Sequence, residues 1–250
     1  MSFEENKSWE RYIKTALERT LHSIAVIAKR VGRDPTSVRL VAATKTLSPH
    51  HIEMAVNAGL RMFGENRVQE GLAKMHALTT RESIEQSFGN LSWHMIGHLQ
   101  KNKVKSVVGN FDLIHSVDSL ALARAIDDRA RLLETSQKIL LQVNVSGEAS
   151  KHGVSPSVLQ STVHRIASMK HVSLRGLMTI PPLAGTAQQT RAIFRQLRSL
   201  AMEIESKKNA GVELTELSMG MSDDYEIAIE EGATMVRIGR GIFGERKVLS

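Results

Sequence analysis

One lysine of this 250-residue chain stands out as a residue that could take part in chemistry. Lys45 directly follows an almost wholly apolar run, L-V-A-A-T, at residues 40–44. A lysine that is partly desolvated has a lowered pKa, and its neutral amine can condense with a carbonyl to form a Schiff base. The alternative is an ordinary lysine whose stem lies on apolar surface while its ammonium reaches water. Spacing alone does not decide between these two interpretations.

Two glycine-containing turns near the C-terminus suggest an anion site. Gly239, Gly241 and Gly244 have the G-x-G-x-x-G spacing of a dinucleotide-binding turn, but that motif needs a further helix, a strand and an acidic residue about 20 positions on. Only residues 245–250 remain, so the dinucleotide hypothesis fails on length. Backbone N–H groups of this turn and of the segment S-M-G-M-S-D-D, residues 218–224, can instead hold a phosphate. The alternative is that both are simply tight strand-to-helix turns.

Two pairs of titratable residues invite a metal or acid–base interpretation. His94 and His98 have the i, i+4 spacing of a zinc-binding helix, but the residues between them provide no general base, and His94 falls on a predicted strand. We therefore predict no metal site. Asp223 and Asp224 form a carboxylate pair, but they fall in the first turn of a predicted helix, where acidic residues stabilise the helix dipole. That structural role is the better interpretation of the pair.

The elements that must hold these residues alternate regularly along the chain. An opening helix over residues 8–31 has one apolar face, formed by Trp9, Ile13, Leu17, Leu21, Ile24 and Ile27. The runs that predict strands are residues 38–44, 61–64, 91–96, 113–117, 139–145, 174–180, 216–219 and 235–238. Helical patterns lie between them, from Pro49 to Gly59 and at residues 66–78, 99–108, 119–133, 155–169, 187–207 and 223–231.

Eight strand-helix units in this length predict a (β/α)8 TIM barrel, with residues 1–32 as an extra N-terminal helix and residues 1–250 as one domain. A doubly wound sheet is the second possibility. Barrel active sites lie at the C-terminal ends of the strands. The residues that follow the predicted strands are Lys45, Glu65, Asn66, Gly97, His98, Asp118, Asn144, Ser146, Thr179, Gly220, Met221, Ser222 and Gly239 to Gly241.

The composition excludes several classes of protein. The absence of cysteine removes disulfide scaffolds, zinc ribbons and thiol nucleophiles. The net charge of +7 is spread out, with its densest cluster at Lys101, Lys103 and Lys105, and aromatic residues make up only 4%, too few for a base-stacking platform. We therefore expect no nucleic-acid partner. The polar start and the lack of a long apolar run predict no secretion signal, no membrane partner and a cytoplasmic protein.

Several of these segments occur together in a recognisable order. They are L-V-A-A-T-K-T (40–46), F-G-E-N-R-V-Q-E (63–70), W-H-M-I-G-H-L-Q-K-N-K (93–103), H-S-V-D (115–118), Q-V-N-V-S-G-E-A-S-K-H-G (142–153), R-G-L-M-T-I-P-P (175–182), L-S-M-G-M-S-D-D (217–224) and M-V-R-I-G-R-G-I-F-G (235–244). In this order they resemble the YggS/PROSC family of pyridoxal 5′-phosphate-binding proteins, over nearly the whole chain after the first helix.

The resemblance implies a fold like the N-terminal barrel domain of alanine racemase, with pyridoxal 5′-phosphate as the cofactor, held as a Schiff base on Lys45. It also implies that the phosphate lies against the turn of Met221 and Ser222 and the turn of Gly239. Arg237 is implied to face the cofactor at its pyridine nitrogen. An arginine there disfavours a protonated ring and so weakens the electron sink that many such enzymes use.

Four further residues of the family segments bear on this site. Asn66 and His94 are implied to line the cofactor. Arg67 stands where the family often has a tyrosine, and Arg240 stands where a small hydroxylated residue often follows R-I-G. Arg240 either adds a charge-assisted contact to the phosphate or points to solvent.

Two functions are compatible with the resemblance. The first is a non-catalytic protein that binds pyridoxal phosphate and maintains its supply and the amino and keto acid balance, with apo forms of pyridoxal phosphate-dependent enzymes as further partners. The second is a weak amino-acid racemase. Racemisation of the alanine-racemase type needs a second base, a tyrosine from a second domain for which this length leaves no room; Tyr12 and Tyr225, the only tyrosines, are not obvious replacements. The first function is therefore favoured, and the family suggests a monomer.

Overall fold

A computed structural model describes residues 3–79, 91–182, 184–207 and 212–244. Eight parallel strands close into a barrel in chain order, and β8 pairs with β1. This arrangement confirms the predicted TIM barrel over the doubly wound alternative. The strands are β1 (Arg39–Ala43), β2 (Met62–Glu65), β3 (Ser92–Met95), β4 (Leu113–Val117), β5 (Gln137–Gln142), β6 (Val172–Met178), β7 (Glu216–Ser218) and β8 (Met235–Ile238).

Helices cover the outside of the barrel. They are α1 (Phe3–Arg30), α2 (Pro49–Asn57), α3 (Val68–Thr79), α4 (Val104–Val107), α5 (Leu120–Leu132), α6 (Pro156–Ala167), α7 (Ala187–Ser206), α8 (Tyr225–Glu230) and α9 (Arg240–Phe243). The predicted helix over residues 99–108 is instead a 3-10 turn at Lys101–Lys103 followed by the single turn of α4. No helix among the described residues has the length and apolar character that crossing a bilayer requires.

The core has two layers, as the period of two along each strand requires. The larger layer lies between strands and helices and includes Leu40, Ala42 and Phe63. A separate cluster fills the barrel interior and consists of Val41, Ile96, Leu113, Leu140, Met178 and Met235. The interior also contains buried polar side chains, so part of it is available for hydrogen-bonded chemistry.

The opening helix α1 packs against α2, α8 and α9. Its buried face follows the predicted helical period at Ile13, Leu17 and Ile24. The prediction for Leu21 is wrong, because its side chain is 47% exposed while Thr20 is buried in its place. Thr20 lies seven residues, about two helical turns, after Ile13 and is therefore on the same buried face. Leu21 is rotated from Thr20 by about 100° around the helix axis and so points away from that face.

Candidate functional site

The C-terminal ends of β1, β7 and β8 bring the predicted lysine and both glycine turns to one side of the barrel mouth. Strand β8 pairs with β1 on one side, where Val41 lies opposite Arg237, and with β7 on the other, where Ser218 lies opposite Met235. Segments that follow adjacent parallel strands lie side by side. The residues after these three strands therefore form a contiguous candidate site.

Lys45 begins a tight turn directly after β1. Leu47 donates its backbone N–H to the carbonyl of Thr44 at 3.1 Å, and Thr46 has a φ of +69°. A β-branched residue in the left-handed region carries a strain of about 1–3 kcal/mol, which surrounding contacts must offset. The Lys45 side chain is exposed, in contrast to the partial desolvation that the apolar strand suggested. The turn thus places Lys45 at the mouth with an exposed side chain.

A buried ion pair lies beneath this turn. The Lys74 ammonium donates to Glu65 Oε1 at 2.7 Å and to the Thr44 carbonyl at 2.7 Å, and the two charged side chains are 5% and 0% exposed. The Thr44 hydroxyl donates to the same carboxylate oxygen at 2.6 Å. Among the described residues, Glu65 Oε2 has no hydrogen-bond partner. The pair fixes the residue that precedes Lys45.

The turn after β7 is shaped by a glycine and by an acidic residue. Gly220 has a φ of +92°, and a Cβ added there would lie 2.5 Å from Cβ of Ala228 in α8, so only glycine fits. The backbone N–H of Met221 donates to Asp224 Oδ1 at 2.5 Å. This amide of Met221 is therefore already used within the protein. Burial raises the pKa of Asp224, against the opposing hydrogen bond from Met221.

The two turns together offer unpaired donors. In the described part of the chain, the hydrogen bonds leave the backbone N–H groups of Ser222, Gly239 and Arg240 without an acceptor. The N–H of Gly241 reaches the Ser222 hydroxyl oxygen at 3.4 Å, which links the turns. Backbone amides without an acceptor in strand-to-helix turns suit an anion. The phosphate site that the glycine spacing suggested at these turns stays a prediction.

Arg240 and Asp223 form an exposed ion pair across these turns. The guanidinium is thus directed to a carboxylate on the neighbouring turn. Asp223 and Asp224 do not lie in the first turn of α8 as predicted, because that helix begins at Tyr225. Asp224 occupies the N-cap position but makes no side-chain cap bond there, since its carboxylate is taken by the Met221 amide.

Arg237 is buried on β8 and points into the barrel. It donates to the Ser218 hydroxyl oxygen at 2.6 Å and to the Thr179 carbonyl at 3.0 Å. Burial lowers the pKa of its guanidinium to about 10, and the charge of Asp224 opposes that shift. The group therefore remains a cation and a donor at neutral pH.

A chain of hydrogen bonds continues from Arg237 through the barrel interior. His115 Nδ1 lies 2.8 Å from Ser218 Oγ, and His115 Nε2 lies 2.9 Å from His94 Nδ1. His94 Nε2 lies 3.1 Å from Ser92 Oγ, which donates to the Asp112 carboxylate at 3.0 Å. The structure joins these residues in the order Arg237, Ser218, His115, His94, Ser92 and Asp112.

Both histidines of this hydrogen-bond chain are held neutral. Burial lowers the pKa of His94 to about 4 and that of His115 well below its usual range. A single set of tautomers satisfies every link: Ser218 donates to His115 Nδ1, His115 Nε2 donates to His94 Nδ1, and His94 Nε2 donates to Ser92. Both nitrogens of His94 are thus engaged inside the protein, away from the mouth.

Asn66 and Arg67 follow β2 next to the Lys45 turn. Asn66 is half-buried, and its backbone lies against Gly97 after β3. Arg67 is exposed and donates to Glu70 at 2.9 Å, and the other oxygen of that carboxylate lies 3.5 Å from the backbone nitrogen of Thr46. Arg67 therefore braces the strained turn indirectly.

Comparison with known proteins identifies the family. The domain family "Alanine racemase, N-terminal domain" matches residues 16–247. A pyridoxal phosphate homeostasis protein of Aquifex aeolicus is 45% identical over 231 residues, which cover 92% of this chain and 97% of the relative. This chain belongs to the family of pyridoxal phosphate homeostasis proteins.

Two solved structures are similar to this chain. PipY of Synechococcus elongatus, solved with PLP bound, is 41% identical with a TM-score of 0.76, and the match covers 88% of this chain and all of PipY. An alanine racemase of Clostridium difficile has a TM-score of 0.68 at 13% identity, and the match covers 96% of this chain and 58% of the racemase. The second likeness shows a shared barrel fold.

The family match contains every predicted site residue, but sequence reasoning missed two that the structure joins to them. His115 and Ser218 connect Arg237 with His94, and both lie in segments that carried the resemblance. Their signal was present in the strand period, because polar residues at alternate positions of a barrel strand must share one face. Lys74 was also missed, although a buried Glu65 at a strand end requires a cationic or donor partner.

Proposed function

We propose that this chain binds pyridoxal 5′-phosphate at the barrel mouth, with Lys45 as the covalent anchor, and maintains the cofactor supply and the balance of amino and keto acids. The observation that carries the proposal is the set of unpaired amides at Ser222, Gly239 and Arg240. Ser222 follows β7, and Gly239 and Arg240 follow β8, which pairs with both β7 and β1, the strand before Lys45. The PLP-bound structure of PipY, 41% identical, supports the same choice of ligand.

The donor set fits the cofactor's chemistry. Pyridoxal phosphate supplies an aldehyde that condenses with a primary amine, and its phosphate is largely a dianion at neutral pH. Lys45 supplies a primary amine on an exposed side chain, while Ser222 contributes a backbone N–H and a hydroxyl to the anion. Met221 contributes apolar shape only, because its N–H donates to Asp224. Arg240 contributes its backbone amide, since its guanidinium pairs with Asp223.

Arg237 favours cofactor handling over turnover. Its guanidinium stays protonated and is fixed by Ser218 and Thr179, so it presents only donors to a ring nitrogen. A nitrogen that accepts from a guanidinium stays unprotonated, which makes the ring a weaker electron sink. We assign His94 a positioning role through His115, because both of its nitrogens are engaged within the chain.

An alanine-racemase-like activity is the second candidate, favoured by the shared barrel fold. It needs a second base opposite the lysine, and neither tyrosine is placed for that role. Tyr225 donates its hydroxyl to Ser23 of α1 at 3.0 Å, and Tyr12 is a half-exposed residue of the same helix. The positions of both tyrosines outside the barrel support the non-catalytic proposal.

Borohydride reduction tests the anchor directly. The protein loaded with pyridoxal phosphate is reduced, its intact mass is measured, and the modified peptide is mapped. We expect one reduced adduct on Lys45, no adduct in Lys45→Ala and an unchanged adduct in Lys101→Ala, which removes an exposed lysine elsewhere. An adduct that persists in Lys45→Ala would refute the anchor.

The non-catalytic role is tested by incubating the loaded protein with each amino acid and following exchange of the α-proton with solvent. We expect exchange far below that of a racemase, and transfer of the cofactor to an apo-enzyme faster than its release into buffer. The proposal also includes a monomer, as the family resemblance suggests, and a cytoplasmic location. Rapid exchange at the α-carbon would favour the second candidate.

A further inference from the structure

Three side chains from consecutive barrel strands meet at the mouth on another side. His98 follows β3, Asp118 follows β4, and His152 lies in the segment after β5. Nδ1 of His98 lies 3.3 Å from Asp118 Oδ2, and Nδ1 of His152 lies 3.7 Å from the same oxygen. One ligand atom from each residue lies within 4.8 Å of the other two. The sequence spacing of His94 and His98 predicted no metal site, and Asp118 and His152 lie too far along the chain to form a local motif with His98.

The distances between these ligand atoms suit a cation with tetrahedral coordination. Ligands at about 2.0–2.1 Å from a zinc ion in tetrahedral geometry lie roughly 3.3 Å apart. The distances from Asp118 Oδ2 to the two histidine nitrogens, 3.3 and 3.7 Å, are close to that value. The imidazole rings of His98 and His152 stack nearly parallel with centroids 3.9 Å apart, so one ring must turn about its side-chain bonds before both Nδ1 lone pairs point at the same ion. Both side chains are exposed and have room for that rotation.

The backbone that carries His152 is held in place. Its carbonyl accepts from the Gln142 side-chain amide at 3.0 Å, and Asn144 donates its N–H to the Val154 carbonyl at 3.0 Å. Gly153, which lies between His152 and Val154, has a φ of +133°, and a Cβ added there would lie 2.6 Å from the backbone nitrogen of Asn144. The close approach fixes the returning segment on the end of β5. His152 is therefore positioned by the fold and not by a free loop.

We propose that His98, Asp118 and His152 bind a divalent transition-metal ion of the zinc class. Two imidazoles and one carboxylate suit such ions, whereas calcium and magnesium prefer oxygen ligands alone. A fourth position remains for water or a small anion, beside a cleft of about 180 Å³ that His152 and Lys151 line. By strand order, β4 and β5 lie across the barrel from β8 and β1, and β3 is separated from β1 by β2, so these residues follow other strands than the turns of the proposed cofactor site.

Calorimetric titration with zinc chloride tests the site in tag-free full-length protein, loaded with cofactor and freed of metal by chelation. We expect one equivalent of zinc to bind, and His98→Ala, Asp118→Asn and His152→Ala each to weaken binding by at least about 10-fold. His164→Ala removes an exposed histidine of α6 and should leave binding unchanged. Cobalt substitution should give the intense visible absorption of a tetrahedral site, lost in the same variants.

The outcomes separate this site from others. Zinc that binds equally well to all three variants would overturn the assignment, as would the absence of binding at millimolar zinc. Lys45→Ala should bind zinc as well as the parent chain, and a loss there would mean that the cofactor, and not the cluster, holds the metal. Circular dichroism of each variant should match the parent, since His98 and His152 are exposed and Asp118→Asn keeps the size of a mostly buried side chain.

Discussion

Replacing Lys74 with methionine tests how the buried ion pair stabilises the end of β1. The substitution keeps the length of the side chain but removes the ammonium that donates to Glu65 and Thr44 at 2.7 Å each. Glu65 is fully buried, so its carboxylate would keep only the Thr44 hydroxyl as a donor. The change thus leaves a poorly compensated charge in the core.

The magnitude follows from that environment. Each hydrogen bond to a charged group contributes about 1.5–3 kcal/mol, and breaking one partner of a buried pair costs about 3–5 kcal/mol in total. For a chain of this size, each kcal/mol lowers the midpoint of thermal unfolding by about 2–4 °C. We therefore expect Lys74→Met to lower the midpoint by roughly 6–20 °C.

Urea unfolding, followed by circular dichroism and by tryptophan fluorescence, measures the change in free energy. The double variant Glu65→Leu, Lys74→Met removes both charges and should recover most of the loss, because buried pairs are often replaced by apolar residues without net cost. Lys101→Met serves as a surface control and should change the free energy by less than about 0.5 kcal/mol. A loss below about 1 kcal/mol for Lys74→Met would refute the assignment of a buried, mutually dependent pair.

Three further predictions concern the interior chain and the turns. Burial lowers the pKa of His94 from 6.5 in the unfolded chain to about 4 in the folded chain. Between these pH values the unfolded state binds more protons than the folded state. The free energy of unfolding therefore falls as pH is lowered through this window, by about 3 kcal/mol from this residue. His94→Gln should reduce that dependence in urea unfolding at pH 7.5 to 4.5, and an identical pH profile would contradict it. Ser222→Ala should weaken retention of pyridoxal phosphate by about 2–10-fold in equilibrium dialysis, through loss of one hydroxyl contact, and unchanged retention would count against the phosphate site. Arg240→Ala should leave retention within about 2-fold, because its guanidinium pairs with Asp223, and a larger loss would assign that side chain to the phosphate.

The architecture was predictable from sequence because each unit carries its own local pattern. Apolar runs of strand length alternate with helical spacing, and this alternation by itself implies parallel pairing. Residues 99–108 are the exception. Their apolar positions favoured a helix, but Val107 and Val108 are poor helix formers, and Gly109 with a φ of +86° ends the segment. Tertiary packing then leaves one turn of 3-10 helix and one of α-helix.

Only those residues of the candidate site that directly follow a strand were predictable from the sequence. Lys45 and the two glycine turns follow strands, so the barrel hypothesis places them at the mouth. The donor that Met221 gives to Asp224 and the pairing of His152 with Asp118 depend on how separate segments meet after the barrel closes. No local spacing encodes such contacts. The i, i+4 spacing of His94 and His98 therefore gave no indication of the cluster at the mouth.

The interior chain explains why Arg237 has one fixed role. Because His115 is neutral and takes its proton at Nε2, its Nδ1 must accept, and Ser218 can only donate to it. The lone pairs of the Ser218 oxygen are then available to Arg237, whose guanidinium donates to this oxygen at 2.6 Å. The donor in each hydrogen bond of the chain is fixed by the next bond toward Asp112. All of these bonds therefore donate in the same direction, from Ser218 through the two neutral histidines to Ser92 and Asp112. The Ser218 oxygen that accepts from Arg237 inside the barrel is therefore oriented by hydrogen bonds that run to Asp112.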